Sequence, residues 1–490
     1  MYLKKLEEYQ KEIFDIQHII NIIEWDLKIS TPEDEKEEVI KLIGTLEDKL
    51  FKLENSKDHE KVLKDAINSD EFKKLEDNEQ RYIKALLKKY QKIANVPNEF
   101  YVKYTEFVHK STMIWEKAKA NNNYEEFKPI LAKIIELTKE YYSYINSGKN
   151  LYDAMLKDYE PNLTSEVIDD LFGKLKEKIL PLIPHEIKEV PFVKINSSES
   201  DILKCAEFLL DYIGFDMNKG ALGIYPHGYT EKIGNNDIRI AFKKTDNALD
   251  FVSTIIHEGG HGILEQNVSR KLTQYECITC DNINALHESQ SRFFENILGR
   301  NINFWIPIYD KVKDFLKLDV ELEEFVKYLN TATPSLVRTE ADELTYCMHI
   351  ILRYEIERDL FSGKLCVDDL PKVWNQKMQE YLHVEVTSDK DGVLQDLHWA
   401  DGDFGYFPSY LIGSIYDGMF LEIIEKDLGN IDELLKDSKI KQITKYLIDN
   451  IYVNGGAYTG KEVLNRLGVK NLSVEPLINY FNKKYGQTKC

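Results

Sequence analysis

Along most of this chain apolar residues recur at every third or fourth position among charged ones, and little interrupts them. Its 490 residues include only 13 prolines and show no Pro/Gly/Ser-rich linker, low-complexity tract or internal repeat. The stretches Leu3–Leu27, Asp34–Ile67, Asn78–Ile93 and Thr164–Leu182 all keep this spacing. It gathers apolar side chains on one face of a helix, so the chain reads as mostly α. Between Gly223 and Phe242 the period changes, with Ile238, Ile240 and Phe242 alternating along the chain. A short strand region is expected there, with an extended edge suited to pairing with a peptide.

Just after that region comes His257-Glu258-Gly259-Gly260-His261. Asn247 to Gln266 has the pattern of one amphipathic helix, with Leu249, Val252, Ile256 and Ile263 on its apolar stripe. Asp250, Thr254, His257, His261 and Glu265 form a polar stripe opposite. Four residues are about 1.1 helical turns, so both imidazoles leave one face and can reach one ion. Glu258 lies about 100° around from His257, near enough to act on a metal-bound water without being a ligand. Neutral imidazoles suit zinc, which lowers the pKa of a bound water to roughly 7. Each glycine costs about 1 kcal/mol in a helix relative to Ala. Gly259 and Gly260 therefore imply tertiary support, or something lying close to the backbone. A catalytic zinc takes three protein ligands and one open position. Glu265 is roughly 12 Å along the axis from His257, too far to close a compact site. Glu276, Glu288 and Glu295 follow in sequence. Ala285–Leu298 reads as a helix with Leu286, Phe293 and Ile297 on one stripe and Glu288 and Glu295 on the other, and periodicity does not choose between these two.

The run His287-Glu288-Ser289-Gln290-Ser291-Arg292 after this motif resembles the carboxypeptidase Taq family of metallocarboxypeptidases. Further segments are similar to that family in the same order. They are Trp25-Asp26, Tyr159-Glu160-Pro161 with Leu163-Thr164, Asp237-Ile238-Arg239, and Arg338 through Asp342. Gly392 through Trp399 and Gly405 through Tyr410 complete the set, which runs essentially end to end. Departures are Gly259-Gly260 where the family usually has a bulky residue, Ala241 in place of Thr, and His227-Gly228-Tyr229 in place of His-Pro-Phe. The interval from His257 to Glu288 is about one residue longer than usual. The resemblance implies a helical metallopeptidase body with a deep substrate groove and a small β element beside the zinc helix. It implies a single catalytic unit over 1–490, with an N-terminal cap or wall over about 1–190 and the site over about 191–490. It also implies His257, His261 and Glu288 as metal ligands, Glu258 as general base, one zinc per chain with cobalt as a substitute, and a homodimer. Glu295 stays as the alternative third ligand.

An exopeptidase must recognise a free terminal carboxylate, and a guanidinium does so with two parallel hydrogen bonds. Arg338 is the first choice and Arg239 the second, with a structural ion pair the alternative for each. Glu340 and Asp342 lie close to Arg338 in sequence. Tyr410 is placed with them as a substrate contact. A phenol or imidazole can donate to the oxyanion, and His398 and Tyr406 are the candidates. Their order and spacing also look similar to a His and Tyr pair in helical zinc peptidases of the angiotensin-converting type. The expected activity is metal-dependent release of single residues from peptide C-termini. Rival readings are an oligopeptidase or dipeptidyl carboxypeptidase on the same scaffold, and a non-catalytic peptide-binding protein.

With 64 basic and 84 acidic residues the formal charge is −20. That field repels nucleic acid and anionic membranes, leaving peptides as the expected partners. No apolar run of about 18 residues exists. Met1 to Glu8 is charged and has no apolar signal-type core, so a soluble cytoplasmic protein is expected. Six cysteines in so long a chain are no disulfide scaffold. Cys277 and Cys280 read as ordinary thiols, without the second pair a separate zinc site needs.

Overall fold

The computed structural model describes residues 1–145, 150–273 and 283–486. The helical periodicity is realised nearly throughout. Leu3–Leu27 lies within α1 (Tyr2–Ile29). The stretch from Asp34 to Ile67 is built of two helices, α2 (Lys36–Glu54) and α3 (Lys57–Ile67). Ser56 breaks it. Its backbone is extended, and its hydroxyl accepts the His59 N–H at 3.0 Å, which favours a new start over continuation. A buried seam of Ile13, Ile20, Ile43 and Leu50 holds α1 against α2.

After further helices, including Asp77–Ala94, Asn98–Ala120 and Tyr124–Ile145, the chain reaches α4 (Leu151–Tyr159), α5 (Glu199–Ile213) and a sheet of β1 (Gly220–Ile224), β2 (Tyr229–Gly234) and β3 (Asp237–Phe242). Its order is β1-β3-β2, with β3 parallel to β1 and antiparallel to β2. Ile238, Ile240 and Phe242 are buried, as their alternation requires. Of the helices that follow, four build the site: α6 (Ala248–Gln266), α7 (Asn284–Arg292), α8 (Tyr346–Ser362) and α9 (Phe407–Leu428). α7 ends sooner than its stripe implied, passing into a π-helical segment over Phe293–Leu298. π-Helical turns of this kind are frequent at functional sites. One contiguous apolar core runs from Leu6 to Phe481 and draws on residues either side of position 190. Among the described residues no helix is long and apolar enough to cross a membrane. Cys205 and Cys347 are free and buried, and Cys366 is free and exposed. Glu276, Cys277, Cys280 and Cys490 lie outside the described residues.

Candidate metal centre

The Asn247 side chain caps α6 by accepting the Leu249 N–H. Leu249, Val252, Ile256 and Ile263 turn into the core, which leaves His257 and His261 on the other side with ring centroids 5.0 Å apart. The two glycines between them are explained by close approach. A Cβ on Gly260 would lie 2.6 Å from Ser291 Cα and 2.8 Å from Gln290 O, on the backbone of α7. A Cβ on Gly259 would meet Ile213 Cδ1 at 2.5 Å and Leu210 Cδ2 at 2.7 Å, on α5. The far side of α7 is met by Gly413 of α9, whose Cβ would lie 2.9 Å from Ala285 O. Helix α7 is thus wedged between two glycines, and that fixes Glu288 against the imidazoles.

The ligand atoms of His257, His261 and Glu288 all lie within 4.8 Å of one another, the one such group among the described residues. His261 Nε2 and Glu288 Oε2 are 3.6 Å apart. That is too long for a hydrogen bond and near the roughly 3.4 Å between two ligands of one tetrahedral zinc. Glu295 does not join the group. Its Oε2 lies 2.9 Å from His257 Nδ1, the outer-carboxylate arrangement of metal-binding histidines; against the cost of burial it raises the metal-free imidazole to about 9, so an ion taken by the other ring nitrogen displaces a proton there. Burial and the charges of His287 and His257 hold the His261 imidazole well below its ordinary range, so it is neutral, the form that binds metal. Its Nδ1 is buried without a hydrogen-bond partner among the described residues. Burial alone would raise Glu288, but Arg292 and the histidines bring its carboxyl down to about 2, an ionised ligand. Arg292 Nε donates to Glu288 Oε1 at 2.8 Å. The donor set fits a divalent cation. Glu265 is turned elsewhere, accepting from His287 Nε2 at 3.1 Å and lying 3.3 Å from Lys232 Nζ.

Glu258 is only 7 % exposed, and burial raises its carboxyl above the ordinary range. Thr230 Oγ1 on β2 lies 2.8 Å from Glu258 Oε2. Gly228 backs onto the same side chain, and a Cβ there would sit 3.1 Å from Oε1. Tyr406 stands 5.4 Å from His398 and 5.2 Å from Tyr410, centroid to centroid. Burial first, then the charge of Glu288, raises the Tyr406 phenol, so it is a neutral donor beside the ligand group. Burial lowers His398 to about 4. Its Nε2 is 3.3 Å from Tyr410 Oη, and its Nδ1 has no partner among the described residues.

Arg338 is buried. Its ion pair is not with Glu340 or Asp342: Nε donates to Asp396 Oδ1 at 2.9 Å and Nη1 to Tyr346 Oη at 2.9 Å. Its guanidinium lies 5.0 Å from the Tyr410 ring centre, which places it beside the His398–Tyr406–Tyr410 group. Arg239 is not brought to this group. It makes a two-pronged bond to Asp237, at 3.0 and 2.7 Å, and lies 5.6 Å over Trp25. Opposite Glu231 in the ladder, it faces away from Thr230 and Glu258. Sequence reasoning missed Thr230, which carries no local signal, and the support given by Arg292, which α-helical spacing from Glu288 could have revealed. It also left Glu160 without a role. One oxygen of that buried carboxyl accepts Ala285 N at 2.7 Å and Ser409 Oγ at 3.0 Å, tying the start of α7 to α9.

The family model for the carboxypeptidase Taq (M32) metallopeptidases matches residues 5–485. The chain belongs to that family. Carboxypeptidase 1 of Bacillus subtilis (strain 168) is 32% identical over 98% of this chain and 99% of its own length. Thermostable carboxypeptidase 1 of Pyrococcus furiosus is 30% identical over 99% and 98%. The solved M32 carboxypeptidase from Deinococcus radiodurans R1 superposes with a TM-score of 0.92 at 26% identity, covering 99% of each chain. The helical M32 fold and a metal-dependent carboxypeptidase activity follow for this family member, and a bare peptide-binding role is not favoured.

Proposed function

We propose that this M32 carboxypeptidase removes single residues from peptide C-termini with zinc held by His257, His261 and Glu288. The convergence of those three ligand atoms within 4.8 Å carries the reading. Zinc held by these three residues would supply Lewis acidity toward the attacking water and the scissile carbonyl. Glu258 takes the proton of the attacking water and hands it to the leaving amine. Its raised carboxyl, the bond from Thr230 and its burial suit both transfers. Tyr406 and His398 donate to the developing oxyanion, and both are neutral donors in an enclosed setting. Arg338 holds the terminal carboxylate, with Tyr410 stacked beside it. Arg239 remains a secondary candidate, supported by the family resemblance of its motif and not by its position.

The substrates are peptides, and the net charge of −20 makes nucleic acid and anionic membranes poor partners. A homodimer is proposed from the family resemblance, and a cytoplasmic setting fits the unpaired, exposed Cys366 thiol. Mass spectrometry of a peptide digest tests the function. Stepwise loss of single C-terminal residues is expected, abolished by chelator and slowed about 100-fold by an amidated C-terminus. Release of dipeptides, or cleavage of the amidated peptide at the same rate, refutes it.

A further inference from the structure

Glu357 on α8 lies outside the motifs that mark this family in the sequence, yet its side chain is fully buried. Three neutral donors meet it. Trp399 Nε1 donates to Oε1 at 2.8 Å, while Tyr152 Oη and Gly405 N donate to Oε2 at 2.7 and 3.0 Å. No arginine, lysine or histidine pairs with it among the described residues. A buried carboxylate without a counter-ion is expensive and needs a reason.

The positions of its donors suggest one. Trp399 directly follows His398, and Gly405 directly precedes Tyr406. One carboxylate therefore grips both ends of the loop that presents the two oxyanion donors. Gly405 has φ +88, a left-handed conformation suited to glycine, and a Cβ there would lie 3.1 Å from the Leu156 backbone nitrogen. Tyr152 is on α4, the same helix that ends in Tyr159. The Tyr159 ring packs edge-on against Tyr406 at 5.1 Å, and its hydroxyl donates to Asp403 in the same loop at 3.2 Å.

We propose that Glu357 is a positioning residue that fixes the 398–406 loop, and through it His398 and Tyr406, toward the ligand group. Glutamine cannot replace it. An amide has one acceptor oxygen, so its NH₂ would face either the Trp399 N–H or the Gly405 N–H. The inference rests on the roles proposed above for His398 and Tyr406.

The test uses metal-loaded enzyme and a peptide with a free C-terminus. Glu357→Gln should lower kcat by about 10–100-fold, with KM and metal content within about threefold of wild type. Trp399→Phe, which removes one donor, should lower kcat about fivefold and decides the matter if Glu357→Gln does not fold. In a Tyr406→Phe, His398→Ala background, adding Glu357→Gln should cost less than about threefold more, because a residue acting through those two has little left to lose. A general loss of stability would not produce that non-additivity. Wild-type kcat in Glu357→Gln or in Trp399→Phe, or a full multiplicative loss in the combined variant, overturns the inference. If Tyr406→Phe and His398→Ala each keep wild-type kcat, the oxyanion reading falls and this inference with it. If those two lose activity while Glu357→Gln does not, only this inference falls.

Discussion

Gly260→Ala adds one methyl group to the metal-binding motif, and two opposing effects decide its outcome. On a helix with free space around it the change would stabilise by about 1 kcal/mol through backbone propensity. Here the new Cβ would meet Ser291 Cα at 2.6 Å and Gln290 O at 2.8 Å, both backbone atoms of α7. Ordinary contact requires roughly 3.5–4 Å. The two helices must therefore separate by about 1 Å, and overpacking of this kind costs about 1–3 kcal/mol. The net expectation is destabilisation by up to about 2 kcal/mol. The displaced helix carries Glu288, so metal affinity should fall about 10–100-fold, the scale at which metal sites respond to lost support. Gly259→Ala is the control. Its Cβ would meet only the ends of the Ile213 and Leu210 side chains, which can rotate aside. That variant should bind metal within about threefold of wild type. Calorimetric melting of the metal-free proteins and a competitive chelator titration read both quantities. A Gly260→Ala protein that melts higher than wild type and keeps full affinity would show that α7 does not press on the motif as described.

Arg338→Ala should lower kcat/KM on free-carboxylate substrates about 100-fold and much less on amidated ones, with Asp396 still held by Arg353; equal losses on both would remove the carboxylate role. Burial pushes the Glu160 carboxyl up to about 8 from its ordinary 4.5, against hydrogen bonds from Ala285 and Ser409 that lower it. A carboxyl raised on folding contributes stability that is whole below about pH 4.5 and is lost as pH rises through about 8, on the order of 3 kcal/mol by pH 7. Glu160→Gln keeps both bonds on its carbonyl oxygen, so urea melts at pH 5 and 7 should show a smaller fall than wild type, and equal falls would refute the linkage. Glu258→Gln should retain one metal per chain by elemental analysis while turnover drops at least about 100-fold; wild-type turnover would remove its role as base.

Much of this was legible because helices write themselves into sequence with a short period. The stripe Leu249, Val252, Ile256 and Ile263 gave both the course of α6 and the face on which the two histidines stand. The same rule gave no sign of the break at Ser56, where a side-chain cap starts a new helix, or of the change at Phe293, where a π-helical segment keeps a similar apolar spacing with another hydrogen-bond ladder. Periodicity could not separate Glu288 from Glu295, since both leave α7 and its extension on the metal side. Only the tertiary distance does so, with Glu295 behind His257 and Glu288 in front of His261. The partner of Arg338 was illegible for a related reason. Asp396 lies 58 positions away, and nothing local in the chain points to it. The double glycine was readable as a demand for close approach, but not for which helix approaches.

The account turns on where one cation binds. Crystals grown with zinc, measured at the zinc absorption edge, give the most direct answer. A single anomalous peak about 2.0–2.2 Å from nitrogens of His257 and His261 and an oxygen of Glu288, with Glu258 outside coordination distance, is the expected result. No peak there, or one coordinated by Glu295 or Glu265 in place of Glu288, would contradict it.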